Sequence, residues 1–179
     1  MKTKIKAFIL DMDGMIVHGE RFSKRLANTF GISLEITSPF FKGPFQECLV
    51  GNADLKFELQ KILPEWGWKG TVDELIAFWF SPEATLIHSG FELVASALRA
   101  RGIHCYLATN NEQYRTSHLM KERGLSEWFD GVFSSANLGC KKPEPAFFEM
   151  VLAQIPFTKD EIMFWDDDQE NVDGARTAG

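Results

Sequence analysis

The sequence has little cysteine, and none of it forms a metal-binding pattern. Cys48, Cys105 and Cys140 are odd in number and widely spaced, and no CxxC or Cys/His ligand spacing surrounds them. This usage is typical of reduced thiols inside the cell. We therefore expect a cytoplasmic protein.

The sequence also lacks a long apolar run and a cluster of basic residues. The apolar run near the start covers only Ala7 to Leu10 before Asp11 interrupts it, so we expect no signal peptide and no membrane partner. The net charge is -6, with 19 basic and 25 acidic residues, and no group of Lys or Arg is long enough to follow a phosphate backbone. A nucleic-acid partner is not expected either.

The length and composition fit one globular core with a small inserted module. The chain has 179 residues, of which 45% are hydrophobic and 25% charged. From Glu20 to Pro82 the pattern is helical. Helices are predicted at Phe22–Phe30 before the stop at Gly31, at Ala53–Leu63, and after the T-x-x-E capping box of Thr71 and Glu74. We interpret this segment as an all-helical insert.

The rest of the chain alternates short apolar strands with helices. The predicted strands are Ile5–Leu10, Ile103–Ala108, Gly131–Ser134 and Glu161–Trp165, and the predicted helices between them are Phe91–Arg101, Gln113–Arg123 and Pro143–Gln154. This alternation is typical of an α/β protein with a parallel sheet. Such sheets bind ligands in a crevice at the carboxyl ends of their strands.

Acidic residues directly follow the first and the last predicted strand. Asp11 and Asp13 follow the first, and Asp166, Asp167 and Asp168 follow the last. Carboxylates gathered in a crevice of low dielectric constant repel one another, so a bound hard cation would compensate them, and oxygen ligands favour Mg²⁺. The alternative is that the two groups face different directions and only cap loops.

Two further residues fit a site for an anion. Thr109 ends a strand just before a predicted helix, where its hydroxyl and the following amides suit an anion, although for Thr109 taken alone helix capping is the better explanation. Lys142 precedes Pro143, which is predicted to open a helix, and a cation at a helix N-terminus is disfavoured unless an anion lies nearby. A solvated surface lysine is the alternative.

Four segments, taken in order, resemble the four motifs of the haloacid dehalogenase superfamily. They are Phe8–Gly14, Leu107–Asn110, Lys141–Pro145 and Phe164–Val172. Each is weak alone, but together they span nearly the whole chain, and each lies at the end of an expected strand or the start of an expected helix. The insert resembles the four-helix cap of subfamily I, and the chain is similar to bacterial sugar-phosphate phosphatases of that group.

The resemblance implies a Rossmann-like three-layer α/β core with a parallel sheet, plus a small helical cap inserted after the first strand. The core would comprise residues 1–18 and 83–179, and the cap residues 19–82. Relatives commonly run on into another strand where this chain ends at Gly179. An exposed sheet edge favours association, and we expect a monomer or a weak homodimer.

The resemblance also assigns roles to residues. Asp11 would be the nucleophile and Asp13 the acid/base. Thr109, Asn110 and Lys142 would bind phosphate, and Mg²⁺ would be held by Asp11, the main-chain carbonyl of Asp13, Asp167 and its acidic neighbour Asp166. Asn171 falls where relatives carry Asp or Asn. Phe45, Gln46 and Glu47 are predicted to form a substrate-facing turn of the cap.

The function implied is hydrolysis of small phosphorylated metabolites, sugar phosphates above all, through an aspartyl phosphate. The nearest alternative is a sugar phosphomutase. A haloacid dehalogenase is disfavoured, because departing halide needs no proton and dehalogenases on this scaffold lack an acid at the position of Asp13. The alternative from another class is a non-catalytic module that keeps the phosphate pocket and uses the cap as an interaction surface.

Overall fold

The computed structural model describes residues 4–179. The predicted core segment begins at Met1, and residues 1–3 lie outside the described residues. Within residues 4–179 the main sheet has four parallel strands, which are β1 Ala7–Asp11, β4 His104–Thr109, β5 Gly131–Ser134 and β6 Ile162–Trp165. Their order in the sheet is β5-β4-β1-β6. The predicted strands are confirmed to within one or two residues at each end.

The order of the strands creates a crevice at the end of β1. The chain passes from β1 to β4 and β5 on one side and then returns to add β6 on the other, with Leu10 of β1 paired to Leu107 and to Trp165. A reversal of strand order leaves space between the diverging loops at the carboxyl ends. Asp11, the last residue of β1, therefore lies at the point where an open sheet of this kind binds ligands.

Helices cover both faces of the sheet. Those of the core are α6 Gly90–Arg99, α7 Gln113–Ser117, α8 Leu125–Trp128, α9 Ser135–Leu138, α10 Pro145–Leu152 and α11 Gln169–Ala178, and α7 runs on as a π-helical turn over His118–Glu122. Alternate residues of a strand face opposite sides. Leu10 thus packs with Ala95 and Leu119, and Ile9 packs with Phe147 and Val151 on the other face. The three-layer α/β core is confirmed.

The insert after β1 has a hydrophobic core of its own. Its helices, in a segment that the structure describes throughout, are α1 Phe22–Phe30, α2 Leu34–Lys42, α3 Pro44–Leu49, α4 Leu55–Ile62 and α5 Val72–Trp79. Phe40, Leu59 and Leu75 are among its buried residues. A short antiparallel pair, β2 Val17–His18 and β3 Leu86–Ile87, connects the insert to the sheet domain. The division at residues 19 and 82 stays a prediction.

The helix predictions for the insert are partly confirmed. The first, at α1, and the capping box of Thr71 and Glu74 are present as expected. The resemblance implied four helices, but the insert contains five, and α2 and α3 were not predicted as separate helices. Pro39 lies inside α2 and Pro44 opens α3, so prolines that signal loops are here accommodated in helices. The predicted turn at Phe45, Gln46 and Glu47 is therefore wrong, since these residues lie in α3.

No helix within residues 4–179 is both long and apolar enough to cross a membrane.

Candidate active site

Lys142 and two carboxylates form a buried ionic cluster at the end of β1. The Lys142 ammonium donates to Asp11 Oδ1 at 2.7 Å, to Asp166 Oδ2 at 2.6 Å and to the Ala108 carbonyl oxygen at 3.0 Å. Lys142 is only 3% exposed and Asp11 6%. Charged groups are rarely buried to this extent unless they are paired. The surface-lysine alternative is therefore excluded.

Lys142 lies in a loop that Asn110 holds in place, and not at the helix N-terminus that the sequence predicted. The helix α10 begins only at Pro145, with Glu144 as its N-cap residue, so Pro143 does not open it. Instead the Asn110 side chain pairs with the main chain of Lys142, donating to its carbonyl at 2.8 Å and accepting from its N–H at 2.9 Å. Because the Asn110 side chain is engaged in this way, a phosphate contact from Asn110 would come from its main chain.

Three carboxylates are arranged to hold a cation. Asp11, Asp166 and Asp167 each offer an oxygen, and these atoms all lie within 4.8 Å of one another. Asp166 Oδ1 also accepts from Asn171 Nδ2 at 3.0 Å, which fixes its orientation. Gly14 makes room for Asp167: a Cβ at Gly14 would lie 2.2 Å from Asp167 Oδ2. Hard oxygen donors of this kind fit Mg²⁺.

Asp13 lies outside this carboxylate cluster and is held by Arg115. The guanidinium donates to both carboxylate oxygens, from Nη1 to Oδ2 and from Nη2 to Oδ1, each at 2.6 Å. Asn111 Nδ2 donates to Asp13 Oδ2 at 2.6 Å as well. A two-pronged arginine–carboxylate pair constrains orientation as well as distance. The Asp13 carboxylate is thus in the crevice but not among the candidate metal ligands.

Thr109 is buried at the end of β4 and is not a helix cap. It is 1% exposed, and its hydroxyl oxygen accepts from Asn111 Nδ2 at 2.6 Å. The next helix, α7, begins at Gln113, and its N-cap is Glu112, whose side chain accepts from two main-chain N–H groups of the first turn. The helix-cap alternative for Thr109 is therefore wrong. Thr109 remains a candidate phosphate ligand beside Asp11, Lys142 and Asn110.

Burial and neighbouring charges shift the pKa values of the two candidate catalytic carboxyls in opposite directions. Burial raises the pKa of Asp11 to about 7, although the adjacent Lys142 ammonium acts against this. Burial also acts to raise the pKa of Asp13, but the Arg115 guanidinium and the hydrogen bonds from Arg115 and Asn111 outweigh it, so that pKa is lowered. Opposite shifts in neighbouring carboxyls are typical of catalytic sites.

The raised pKa of Asp11 predicts how the stability of the metal-free protein depends on pH. Between about pH 4 and 7, folded Asp11 keeps a proton that the unfolded chain releases, so the free energy of unfolding falls as pH rises and levels off above about 7. Asp11→Asn removes this contribution. We therefore expect the free energy of unfolding of the wild type, minus that of Asp11→Asn, to decrease from pH 4.5 to 7.5 when both are measured by urea unfolding in excess chelator. A difference in the free energy of unfolding that does not change with pH would contradict the raised pKa of Asp11.

A cavity of about 710 Å³ lies between the cap and these residues. On the core side it is lined by Asp13, Asn110, Asn111 and Arg115. The cap side contributes both apolar and polar residues, among them Phe22, Leu34, Phe41, Phe45, Leu49 and Trp79 and, of the polar ones, Glu20, Arg21, Ser23, Thr37, Ser38 and Lys42. The volume is ordinary for a site that encloses a small molecule. Of the three residues predicted to face substrate, Phe45 lines the cavity, while Gln46 accepts a hydrogen bond from Lys141 of the core at 2.8 Å.

The family profile of haloacid dehalogenase-like hydrolases matches residues 5–179. The chain belongs to this family. Among solved structures, a haloacid dehalogenase family enzyme of Bacteroides thetaiotaomicron in complex with magnesium and inorganic phosphate superposes with a TM-score of 0.83 at 21% identity, over 98% of this chain and 91% of that one. L-2-haloacid dehalogenase of Xanthobacter autotrophicus superposes with a TM-score of 0.69 at 18% identity, over 98% and 75%. These two likenesses show the haloacid dehalogenase fold.

Two curated relatives match shorter segments. The chain is 39% identical over 84 residues to a sesquiterpene phosphatase of Aspergillus oryzae, covering 46% of this chain and 42% of that protein. It is 26% identical over 103 residues to a phosphoglycolate phosphatase of Pseudomonas putida, covering 58% and 38%. The chain thus spans less than half the length of these relatives.

The sequence did not predict two residues of the site, Asn111 and Arg115. Asn111 lies just beyond the segment Leu107–Asn110, and Arg115 lies inside the predicted helix Gln113–Arg123, where a basic residue usually faces solvent. Helical spacing could not have indicated this pair, because Asn111 precedes Glu112, the N-cap of α7, and only Arg115 lies in the helix. Their side chains are nevertheless joined by a hydrogen bond of 2.7 Å.

Proposed function

We propose that the chain is a Mg²⁺-dependent phosphatase that hydrolyses small phosphate monoesters through an aspartyl phosphate on Asp11. The observation that carries the proposal is the buried contact between Lys142, Asp11 and Asp166, with Asp167 beside it. A carboxylate nucleophile next to a cation and a set of hard oxygen ligands suits phosphoryl transfer, in which the main task is to neutralise charge on the transferring group.

In the first step an oxygen of Asp11 attacks phosphorus, and the bond from phosphorus to the ester oxygen breaks. Asp13 donates a proton to the departing oxygen, so the alcohol leaves neutral. The Lys142 ammonium contacts Asp11, and Thr109 directly follows Ala108, which pairs with Asp11 in the sheet. Both side chains would bind phosphoryl oxygens. Bound Mg²⁺ would be held by Asp11, Asp166 and Asp167 and would supply further positive charge.

In the second step water attacks phosphorus of the aspartyl phosphate. Asp13, now ionised, accepts a proton from this water, the bond between phosphorus and the Asp11 oxygen breaks, and its electrons return to the Asp11 carboxylate. The lowered pKa of Asp13 favours the ionised form that this step requires. It disfavours the protonated form that the first step uses, so the first step proceeds from the less populated form of Asp13.

The helical cap, proposed as residues 19–82, supports a small substrate. A phosphate bound at the end of β1 would place the rest of the molecule in the cavity, where the cap excludes water from the intermediate. Apolar cap residues would contact carbon and a few polar groups would contact hydroxyls, so sugar monophosphates, with broad preference, are our proposed substrates. Both curated relatives are named as phosphatases, which supports the reaction and not a particular substrate.

Three free, buried cysteines fit the proposed cytoplasmic location.

We predict that chelation abolishes phosphate release and that Mg²⁺ restores it. The cluster of Asp11, Asp166 and Asp167 otherwise repels a phosphate dianion. The measurement is phosphate release from hexose and pentose monophosphates, p-nitrophenyl phosphate and a phosphoseryl peptide, with and without chelator, and we expect the peptide to be the poorest substrate.

Assays of halide release and of phosphate transfer, run beside the phosphate-release assay, separate the alternatives. Halide release from 2-chloropropionate in excess chelator, without phosphatase activity, would favour a dehalogenase. Transfer of the phosphate between hydroxyls of one sugar, without release, would favour a mutase. A peptide cleaved with higher kcat/KM than every sugar phosphate would overturn the substrate class.

A further inference from the structure

Arg115 has no assigned part in the four sequence motifs, yet it makes the strongest contacts of the candidate acid/base. Its guanidinium donates to both oxygens of Asp13 at 2.6 Å, and its side chain is 16% exposed. Nη1 of Arg115 also donates to Asn111 Oδ1 at 2.7 Å, and Asn111 in turn donates to Asp13 Oδ2. Asp13 is therefore held from two sides by residues that also hold each other.

The backbone that carries Arg115 is itself fixed. The N–H of Arg115 donates to Glu112 Oε1 at 2.5 Å, and the buried Glu112 side chain also accepts from the N–H of Tyr114. The Tyr114 hydroxyl donates to Asp54 of the cap at 2.6 Å. The first turn of α7 is thus anchored by its N-cap residue, Glu112, and by Asp54 of the helical insert. Arg115 is consequently a rigid support and not a freely moving surface cation.

Such a support matters most in the step that uses Asp13 as a base. The attacking water has to lie within hydrogen-bond reach of one carboxylate oxygen while it faces phosphorus. An aspartate without its partner samples several side-chain rotamers, and only some of them satisfy both conditions. An arginine fork restricts the carboxylate to one orientation, which a single point charge does not.

We infer that Arg115 is a positioning residue that orients the Asp13 carboxylate for hydrolysis of the aspartyl phosphate. The inference rests on the proposed function. It assigns Arg115 no contact with the substrate, so its loss should slow breakdown of the phosphoenzyme and leave its formation from a substrate with a good leaving group almost unchanged. p-Nitrophenyl phosphate is such a substrate, because p-nitrophenolate departs without a proton.

The test is pre-steady-state and steady-state hydrolysis of p-nitrophenyl phosphate by wild type, Arg115→Met and Arg115→Lys with Mg²⁺. We expect Arg115→Met to lower kcat by about 10²-fold. The ratio kcat/KM reports phosphoenzyme formation, and we expect it to stay within about threefold of the wild-type value. A burst of p-nitrophenol close to one per chain should appear, together with a chain that gains the mass of one phosphoryl group. Arg115→Lys keeps the charge but not the fork, and we expect it to restore kcat only in part.

A second comparison uses Asp13→Asn as the background. If Arg115 acts only through Asp13, adding Arg115→Met to Asp13→Asn should change kcat by less than about threefold, because effects through one group are not additive. A further large loss, or a fall of kcat/KM equal to that of kcat in the single variant, would overturn the inference and indicate substrate binding or a fold defect. Thermal unfolding of Arg115→Met and Arg115→Lys identifies a fold defect, and Arg115→Lys gives the same kinetic test if the methionine variant does not fold. Failure of the wild type to release p-nitrophenol in any condition would instead count against the proposed function.

Discussion

Asp11→Asn should abolish phosphate release, by on the order of 10⁴-fold or more in kcat/KM for p-nitrophenyl phosphate, because removal of a covalent nucleophile leaves only binding and charge stabilisation. The amide has almost the same shape as the carboxylate, but it is a poor nucleophile and a poor ligand for Mg²⁺. Lys142 would keep its contacts with Asp166 and the Ala108 carbonyl. The loss should therefore be chemical and not structural.

Stability and covalent labelling distinguish these causes. Because burial opposes ionisation of Asp11 and raises its pKa to about 7, the variant should be at least as stable as the wild type in chelator at pH 8. Wild type quenched in acid during turnover should carry one phosphoryl group at Asp11, and the variant none. Phosphate release by Asp11→Asn within about tenfold of wild type would remove Asp11 from the mechanism.

The sequence predicted the site best where chemistry and strand ends coincide. Asp11 and Asp166 follow apolar runs directly, and the parallel register then brings the ends of β1 and β6 side by side. Periodicity alone is enough to locate such strand ends, since a buried parallel strand is continuously apolar and stops at the first polar residue. The fold class and the position of the acidic crevice follow from this pattern.

Lys142 shows where local rules fail. The sequence placed it correctly near the anionic crevice, but for a local reason that the structure contradicts, since α10 begins three residues later. Its position depends on Asn110, which is 32 residues away along the chain. A hydrogen bond between two loops leaves no periodic trace in sequence, and no rule for helix ends reports it.

Arg115 and helix α2 were missed for the opposite reason, because general tendencies predicted something else for them. A basic residue in an amphipathic helix is normally solvated, and only the distant Asp13 makes Arg115 a site residue. In the same way Pro39 argues against a helix locally, while burial of Phe40 in the cap core favours one. Tertiary contacts override propensity at both positions.

Lys142→Met should lower both activity and stability, and the two losses should depend differently on conditions. The variant leaves Asp11 and Asp166 buried together without their shared cation. Breaking a buried ionic cluster by removing one partner costs about 3–5 kcal/mol, and loss of a fixed charge at the transferring group costs about 10²- to 10³-fold in kcat. The exposed Lys121 provides the matched control, and Lys121→Met should change neither quantity appreciably.

The stability loss should grow with pH, because Lys142 lowers the pKa of Asp11 and its removal lets that pKa rise further. Below the pKa, Asp11 is protonated in the folded variant, and less uncompensated charge is buried. Between the pKa of the unfolded chain, about 4, and this raised pKa, the folded variant retains a proton that the unfolded chain releases, so the free energy of unfolding falls as pH rises across this interval. Urea unfolding in chelator from pH 5 to 8 measures this, and Mg²⁺ should recover part of the stability by replacing the missing positive charge, but not the activity. If Lys142→Met is as stable as Lys121→Met across this range and hydrolyses p-nitrophenyl phosphate normally, the Lys142 ammonium neutralises neither Asp11 nor Asp166. That result would contradict the proposed active site, which depends on this contact.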